Sequence, residues 1–215
     1  MRLIVFNPNT SVETTARMVA IAAAEAGGRA TVEGVTARFG APLITEPEAL
    51  AVAATAALAE VDRLREADGV IVSAFGDPGL EMLRERITPP VTGIAEAGMA
   101  EAAANGRRFA VVTTTPFLVD AISARAAALG HGGFVGVWTT PGDPAALTAA
   151  PGPLRAALAA ACRRAITEGG AEAVVIGGGP LAEAARDIAG DCPVPLIEPL
   201  PAAVRLSLAR LEGRS

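Results

Sequence analysis

Short runs of β-branched and aliphatic residues alternate with longer Ala-rich stretches along the whole 215-residue chain. That alternation predicts repeated strand–helix units and a parallel sheet. The apolar runs predict strands over 2–7 (RLIVFN), 30–36 (ATVEGVT), 69–74 (GVIVSA) and 90–94 (PVTGI). Further strands are predicted over 108–113 (RFAVVT), 133–139 (GFVGVWT), 173–178 (AVVIGG) and 194–197 (VPLI). The intervening stretches predict helices, notably 11–26, 47–67, 116–129, 153–169 and 199–212. Two of them, 47–67 and 153–169, carry no Pro or Gly between their ends and read as unbroken helices.

The pattern repeats. "RLIVFNPNT" matches "RFAVVTTTP" at an offset of about 106 positions, "ADGVIVSAFGDPGL" matches "AEAVVIGGGPLAE" at about 104, and "PPVTGIAEA" matches "CPVPLIEPL" at about 103. Three motifs in the same order at near-constant spacing indicate an internal duplication. The expected fold is α/β with two pseudo-symmetric lobes, each a parallel sheet of about four strands flanked by helices. The lobes are expected at 1–100 and 101–215, the C-terminal helix being free to pack back on the first lobe.

Ligands of open parallel sheets bind beyond the carboxyl ends of the strands. Four loops are therefore expected around one interlobe cleft: Asn7–Thr10, Ser73–Asp77, Thr113–Thr115 and Gly177–Pro180. Asn9, Thr10 or Ser11 can cap the helix that follows, and Thr113, Thr114 or Thr115 can do so in the second half. Gly76 and the Gly177-Gly178-Gly179 run let backbone approach a ligand closely. A small anionic or polar ligand suits free N–H groups at helix starts.

Composition removes other chemistries. The chain has no Lys, no Tyr and one His (His131), so Schiff-base chemistry with pyridoxal phosphate and a P-loop lysine are both excluded. One His and two distant Cys cannot make a conventional zinc site. His131 lies in the turn "LGHGGF" and reads as a solvated turn residue rather than a triad member. A net charge of −5 with scattered Arg provides no footprint for nucleic acid. No apolar run reaches the roughly 18–20 residues of a membrane span, and Met1-Arg2-Leu3 leads straight into a strand, so a cytoplasmic protein is expected. Cys162 and Cys192 are too few for a disulfide framework and read as structural or incidental. Ala-rich helices of low charge, such as 47–67, can bury a second face against another copy, so a homo-oligomer is expected.

"FNPNT", "PLITEPEALA", "FGDPGL", "GIAEAG", "FAVVTTT" and "AVVIGG" together resemble the hydantoin and allantoin racemase branch of the aspartate/glutamate racemase superfamily, from residue 3 to about residue 204. The resemblance implies an enzyme without cofactor or metal that acts on a small carboxylate or hydantoin-like compound between two α/β lobes. It also implies two cysteines, one per lobe: one thiolate removes a proton from carbon and the other thiol returns one to the opposite face. The first stands directly before "FGDPGL" and the second follows "AVVIG". Here those positions are Ala74 and Gly178.

The candidate binding residues are Asn7, Asn9 and Thr10; Ser73, Ala74, Phe75 and Gly76; Thr113, Thr114 and Thr115; and Gly177, Gly178, Gly179 and Pro180. Asp77 is the one carboxylate beside the site, suited to acid–base work or to a plain turn and cap, while Glu46 and Glu96 are acids within the family-like segments. Three readings stay open. The chain performs thiol-independent hydrolysis, decarboxylation or isomerisation; or it is a degenerate homologue that binds without turnover; or it is a Cys-less variant of an active racemase.

Overall fold

The segments Gly69–Val72 and Ala173–Ile176 carry no polar side chain, and such strands need cover on both faces. In the computed structural model, which describes residues 1–178 and 181–213, both are inner strands of four-stranded parallel sheets. Gly179 and Pro180 of the candidate set lie outside the described residues.

The first half runs β1 (Arg2–Asn7), α1 (Val12–Ala26), β2 (Thr31–Thr36), α2 (Pro47–Ala59), α3 (Val61–Leu64), β3 (Gly69–Val72), α4 (Leu80–Arg84), β4 (Val91–Gly93) and α5 (Ile94–Ala102). The second runs β5 (Phe109–Thr113), α6 (Val119–Ala128), β6 (Phe134–Thr139), α7 (Pro144–Thr148), α8 (Pro151–Thr167), β7 (Ala173–Ile176), α9 (Ala182–Ala189), β8 (Leu196–Ile197) and α10 (Pro199–Glu212). The strand orders are β2-β1-β3-β4 and β6-β5-β7-β8, the same order twice. By internal contacts the chain divides into one unit of Met1–Ala97 with the chain from Leu200 onward, and a second of Gly98–Pro199. No helix among the described residues is long and apolar enough to cross a membrane.

Each unit has its own core. In the first, Ile4, Phe6, Val70 and Val72 pack with Leu64, Leu80 and Leu83. In the second, Ala110, Val112, Val174 and Ile176 pack with Leu154, Leu158 and Ala161 of α8 and Leu181. Phe6 and Phe109 are fully buried, each contributing about 1.5–3 kcal/mol by leaving water.

Two readings of the sequence need correction. The stretch 47–67 is not one helix: it breaks at Glu60, whose ψ is 3°. Glu60 at the break is fully buried, with its carboxylate beside Arg38 and Arg63 at 3.1 Å each. The third repeat offset is also not 103. Val70 pairs with Val91 and Val174 with Leu196, so position 91 corresponds to 196, an offset of 105. "CPVPLI" offers two prolines, and the second is the structural match. Val70 donates to the carbonyl of Pro90, and Val174 to that of Pro195, both at 3.0 Å.

Candidate active site

β1 ends in Asn7, a fully buried amide that organises the following loop. Its Nδ2 donates to Asn9 Oδ1 (2.8 Å), Ser11 O (3.1 Å) and Thr15 Oγ1 (3.0 Å), and its Oδ1 accepts from the Asn9 N–H (3.1 Å). Asn7 thus spends its side chain on the loop itself. Of the three cap candidates, Ser11 caps α1, accepting from the Thr14 N–H at 3.2 Å. Thr10 donates its N–H to Ala41 O at 3.1 Å, which ties this loop to the segment after β2. From that segment sequence reasoning took only the "PLITEPEALA" motif and Glu46. The segment also carries the exposed Phe39, and its Arg38 lies 3.1 Å from Glu60 Oε1 as an ion pair without hydrogen-bond alignment.

Beyond β3, Ser73 is held twice to Phe6 O, by its N–H (2.9 Å) and its hydroxyl (2.7 Å). Ala74 follows as a half-buried methyl, then Phe75, largely buried, and Gly76 at φ 105°. Asp77 takes a left-handed turn at φ 53°, which a short polar side chain tolerates. Its carboxylate reaches the start of α5, where Oδ1 accepts from the Ala95 N–H and Oδ2 from the Glu96 N–H, both at 2.8 Å. Opposite charge at a helix start suits the helix dipole. The candidate base is therefore engaged as a cap.

Gly93 makes that contact possible: a Cβ there would land on the Asp77 carboxylate. Gly93→Ala is expected to cost about 1–3 kcal/mol through forced overpacking. Urea denaturation reads this directly, and an unchanged midpoint would refute the tight fit.

Glu96 is likewise committed. It receives Arg84 Nη2 at 2.8 and 2.9 Å and Arg210 Nη2 at 2.9 Å, and Arg210 also holds Thr92 at 2.8 Å. Burial pushes this carboxyl up, but the hydrogen bonds and charges of Arg210 and Arg84 outweigh it and hold the pKa at about 2. Glu46 stands exposed before α2 and makes no cap bond.

In the second unit β5 ends in Thr113, fully buried, whose hydroxyl donates to Gly177 O (2.8 Å) and meets the Thr115 hydroxyl (2.9 Å). The expectation that one of the three threonines caps the next helix is not met. Pro116–Leu118 form a 3-10 turn with no side-chain cap at Thr115, and α6 follows from Leu118, also uncapped by a side chain. The Thr115 hydroxyl meets that of Thr113 instead. Thr114 is buried beside them. Gly178 follows β7 with its φ outside the left-handed region, and a Cβ there would meet Leu181 Cγ and Cδ1 at 3.1 Å. His131 is half-buried edge-on to Phe109, with ring centroids 6.1 Å apart.

Thr140, just beyond β6, is a further residue that sequence reasoning missed. It donates its N–H to Thr113 O (3.0 Å), yet its buried hydroxyl has no partner among the described residues. A signal existed: Thr-Thr-Pro closes both 114–116 and 139–141.

Taken separately, the two sheet ends are built alike. Ser73 N–H donates to Phe6 O and Gly177 N–H to Val112 O (2.9 and 2.8 Å), while Ala37 N–H donates to Asn7 O and Thr140 N–H to Thr113 O (2.9 and 3.0 Å). Within that framework Ala74 of one unit and Gly178 of the other occupy the same place. The side-chain ties differ in direction, from β3 to β1 in the first and from β5 to β7 in the second. These ends supply hydroxyls, amides and backbone N–H groups, with carboxylates at Glu46, Asp77 and Asp143. Arg38 is the one cation in the loops 8–11, 37–46, 73–79, 114–118, 140–143 and 177–180.

A family model described as Asp/Glu/Hydantoin racemase matches residues 3–207. Allantoin racemase from Klebsiella pneumoniae is 32% identical with a TM-score of 0.92, the match covering 100% of this chain and 89% of that one. Allantoin racemase from Pseudomonas fluorescens is 29% identical with a TM-score of 0.92, covering 99% and 92%. Hydantoin racemase from Paenarthrobacter aurescens is 28% identical over 219 residues, 96% of this chain and 89% of the relative.

Proposed function

The chain belongs to the Asp/Glu/hydantoin racemase family, and from that premise we propose that it binds a hydantoin- or allantoin-type ring at the strand ends of its two units without two-thiol racemisation. The observation that carries this reading is the state of the acids and bases. On this reading Ala74 and Gly178 stand at the two thiol positions, and the carboxylate beside Ala74, Asp77, accepts the N–H groups of Ala95 and Glu96 at the start of α5. A positioned general acid or base contributes about 10²–10⁴-fold; of the carboxylates in these loops, Asp77 and Asp143 are engaged as helix caps and Glu46 is exposed.

The same loops favour a neutral ring over a dicarboxylate. Arg38, their one cation, is turned to Glu60, whereas hydroxyls and N–H groups match the carbonyl and N–H edges of a ureide. Thiol-independent turnover is the second reading, favoured by the buried hydroxyl of Thr140, which has no partner among the described residues.

Titration calorimetry with allantoin and with 5-benzylhydantoin, followed by NMR in deuterated water, tests both. Binding is expected, with the α-proton retained and the optical rotation constant. Robust racemisation by the unmodified chain would overturn the proposal, and a new product would favour the second reading.

A further inference from the structure

The two cysteines, far apart in sequence and absent from the strand-end chemistry, line one chamber of the second unit. It is a half-open, mostly apolar pocket of about 380 Å³ between α8 and the end of α9 with the segment after it, lined by Ile166, Ile188 and Pro193 together with Arg163, Thr167 and Asp191. Both thiols are free. Cys162 is 3% exposed and forms the inner wall, while Cys192 is only half-buried. The chamber lies before β8, whereas Gly178 follows β7. Because β7 and β8 run parallel, the chamber and Gly178 are at opposite ends of this sheet.

We propose that this chamber is a thiol–disulfide exchange site for low-molecular-weight disulfides, with Cys192 the attacking thiol and Cys162 the resolving one. The apolar walls suit the organic half of a small disulfide, and the half-buried sulfur is the one that such a molecule meets first. In the first step the Cys192 thiolate attacks one sulfur of the reagent; a Cys192–S–S–R bond forms, the reagent's S–S bond breaks, and one RS⁻ leaves. In the second, Cys162 gives its proton to solvent and attacks Cys192 Sγ. The internal disulfide forms and the second RS⁻ leaves. The two protein thiols are oxidised, the reagent is reduced to two thiols, and the two protons end on those products.

Burial pushes the Cys162 thiol up to about 12, with Cys192 adding to the rise and Arg163 opposing it. The second step is therefore slow near neutrality and follows the thiolate fraction of Cys162. Closure would join the ends of the segment 162–192, which carries β7, Gly178 and α9.

The test uses 2-hydroxyethyl disulfide and mass spectrometry of the folded protein. The wild-type chain is expected to pass through a mixed disulfide at Cys192 to an internal disulfide, the second step speeding about tenfold per pH unit from pH 7 to 9. Cys162→Ser should stop at the mixed disulfide, with Cys162→Ala as the check should the Ser variant unfold. Cys192→Ser should not react while folded. Equal reactivity of both thiols, an inert Cys192, or a wild-type adduct that never resolves would each overturn the assignment.

Discussion

Replacing Ala74 and Gly178 together by cysteine is expected to raise α-proton exchange of 5-benzylhydantoin in deuterated water by about 100-fold or more, taking the lower bound for a positioned acid or base. Ala74 is a half-buried methyl at the tip of β3, on a loop already fixed by Ser73 at Phe6 and by Asp77 at α5. At Gly178 the backbone is one that any residue adopts. Among the described residues the new Cβ would meet Leu181 Cγ and Cδ1 at 3.1 Å, so that side chain must yield by a few tenths of an ångström. Single substitutions should yield far less racemisation, because one face of the carbon would still lack a proton donor. Binding that persists in the double variant with no gain in exchange would sink the assignment of these two positions.

Glu96→Gln is expected to cost about 3 kcal/mol of stability at pH 7. The carboxyl is held at about 2 against an ordinary 4.5, and that displacement multiplied by about 1.4 kcal/mol per unit sets the scale. Removing the charge also leaves Arg84 and Arg210 without their shared counter-ion. The unfolded chain binds the proton more readily than the folded one. The contribution is therefore complete above pH 4.5 and fades as the pH falls through 2. Urea titrations at pH 7, 5 and 3 should show a gap between wild type and variant that is constant at the first two values and smaller at the third. A gap independent of pH down to 2 would show that packing, and not the ion cluster, makes the contribution.

Strand positions were legible because buried β-branched runs have few alternatives, and β1 is read at its observed bounds, Arg2–Asn7. Helix breaks were less so. Alanine fits any helical position, so nothing between 47 and 67 marks Glu60 as a kink. The carboxylate at the kink is buried beside Arg38, a residue more than twenty positions earlier. At the strand ends the residue types were legible and their partners were not. Ser11, Asn9 and Thr10 are equally good caps on paper, and the choice is made by Asn7, whose amide claims Asn9. Asp77 could be read as an acid or as a turn and cap residue, and the cap is what forms; its partners, the N–H groups of Ala95 and Glu96, lie on a helix that periodicity passes over. The two cysteines looked incidental for a similar reason. Only the packing of α8 beside the α9–β8 connection brings them to one chamber.

The fit of Gly93 beneath Asp77 constrains the order in which this fold can drift. A side chain at 93 collides with the carboxylate, while shortening 77 to glycine first removes both the collision and the cap. The two changes are therefore non-additive: Gly93→Ala should lose most of its penalty on an Asp77→Gly background. A lineage could reach the pair through position 77 but scarcely through position 93. Among descendants of such a chain, an acid at 77 should travel with glycine at 93, and the two should be abandoned in that sequence.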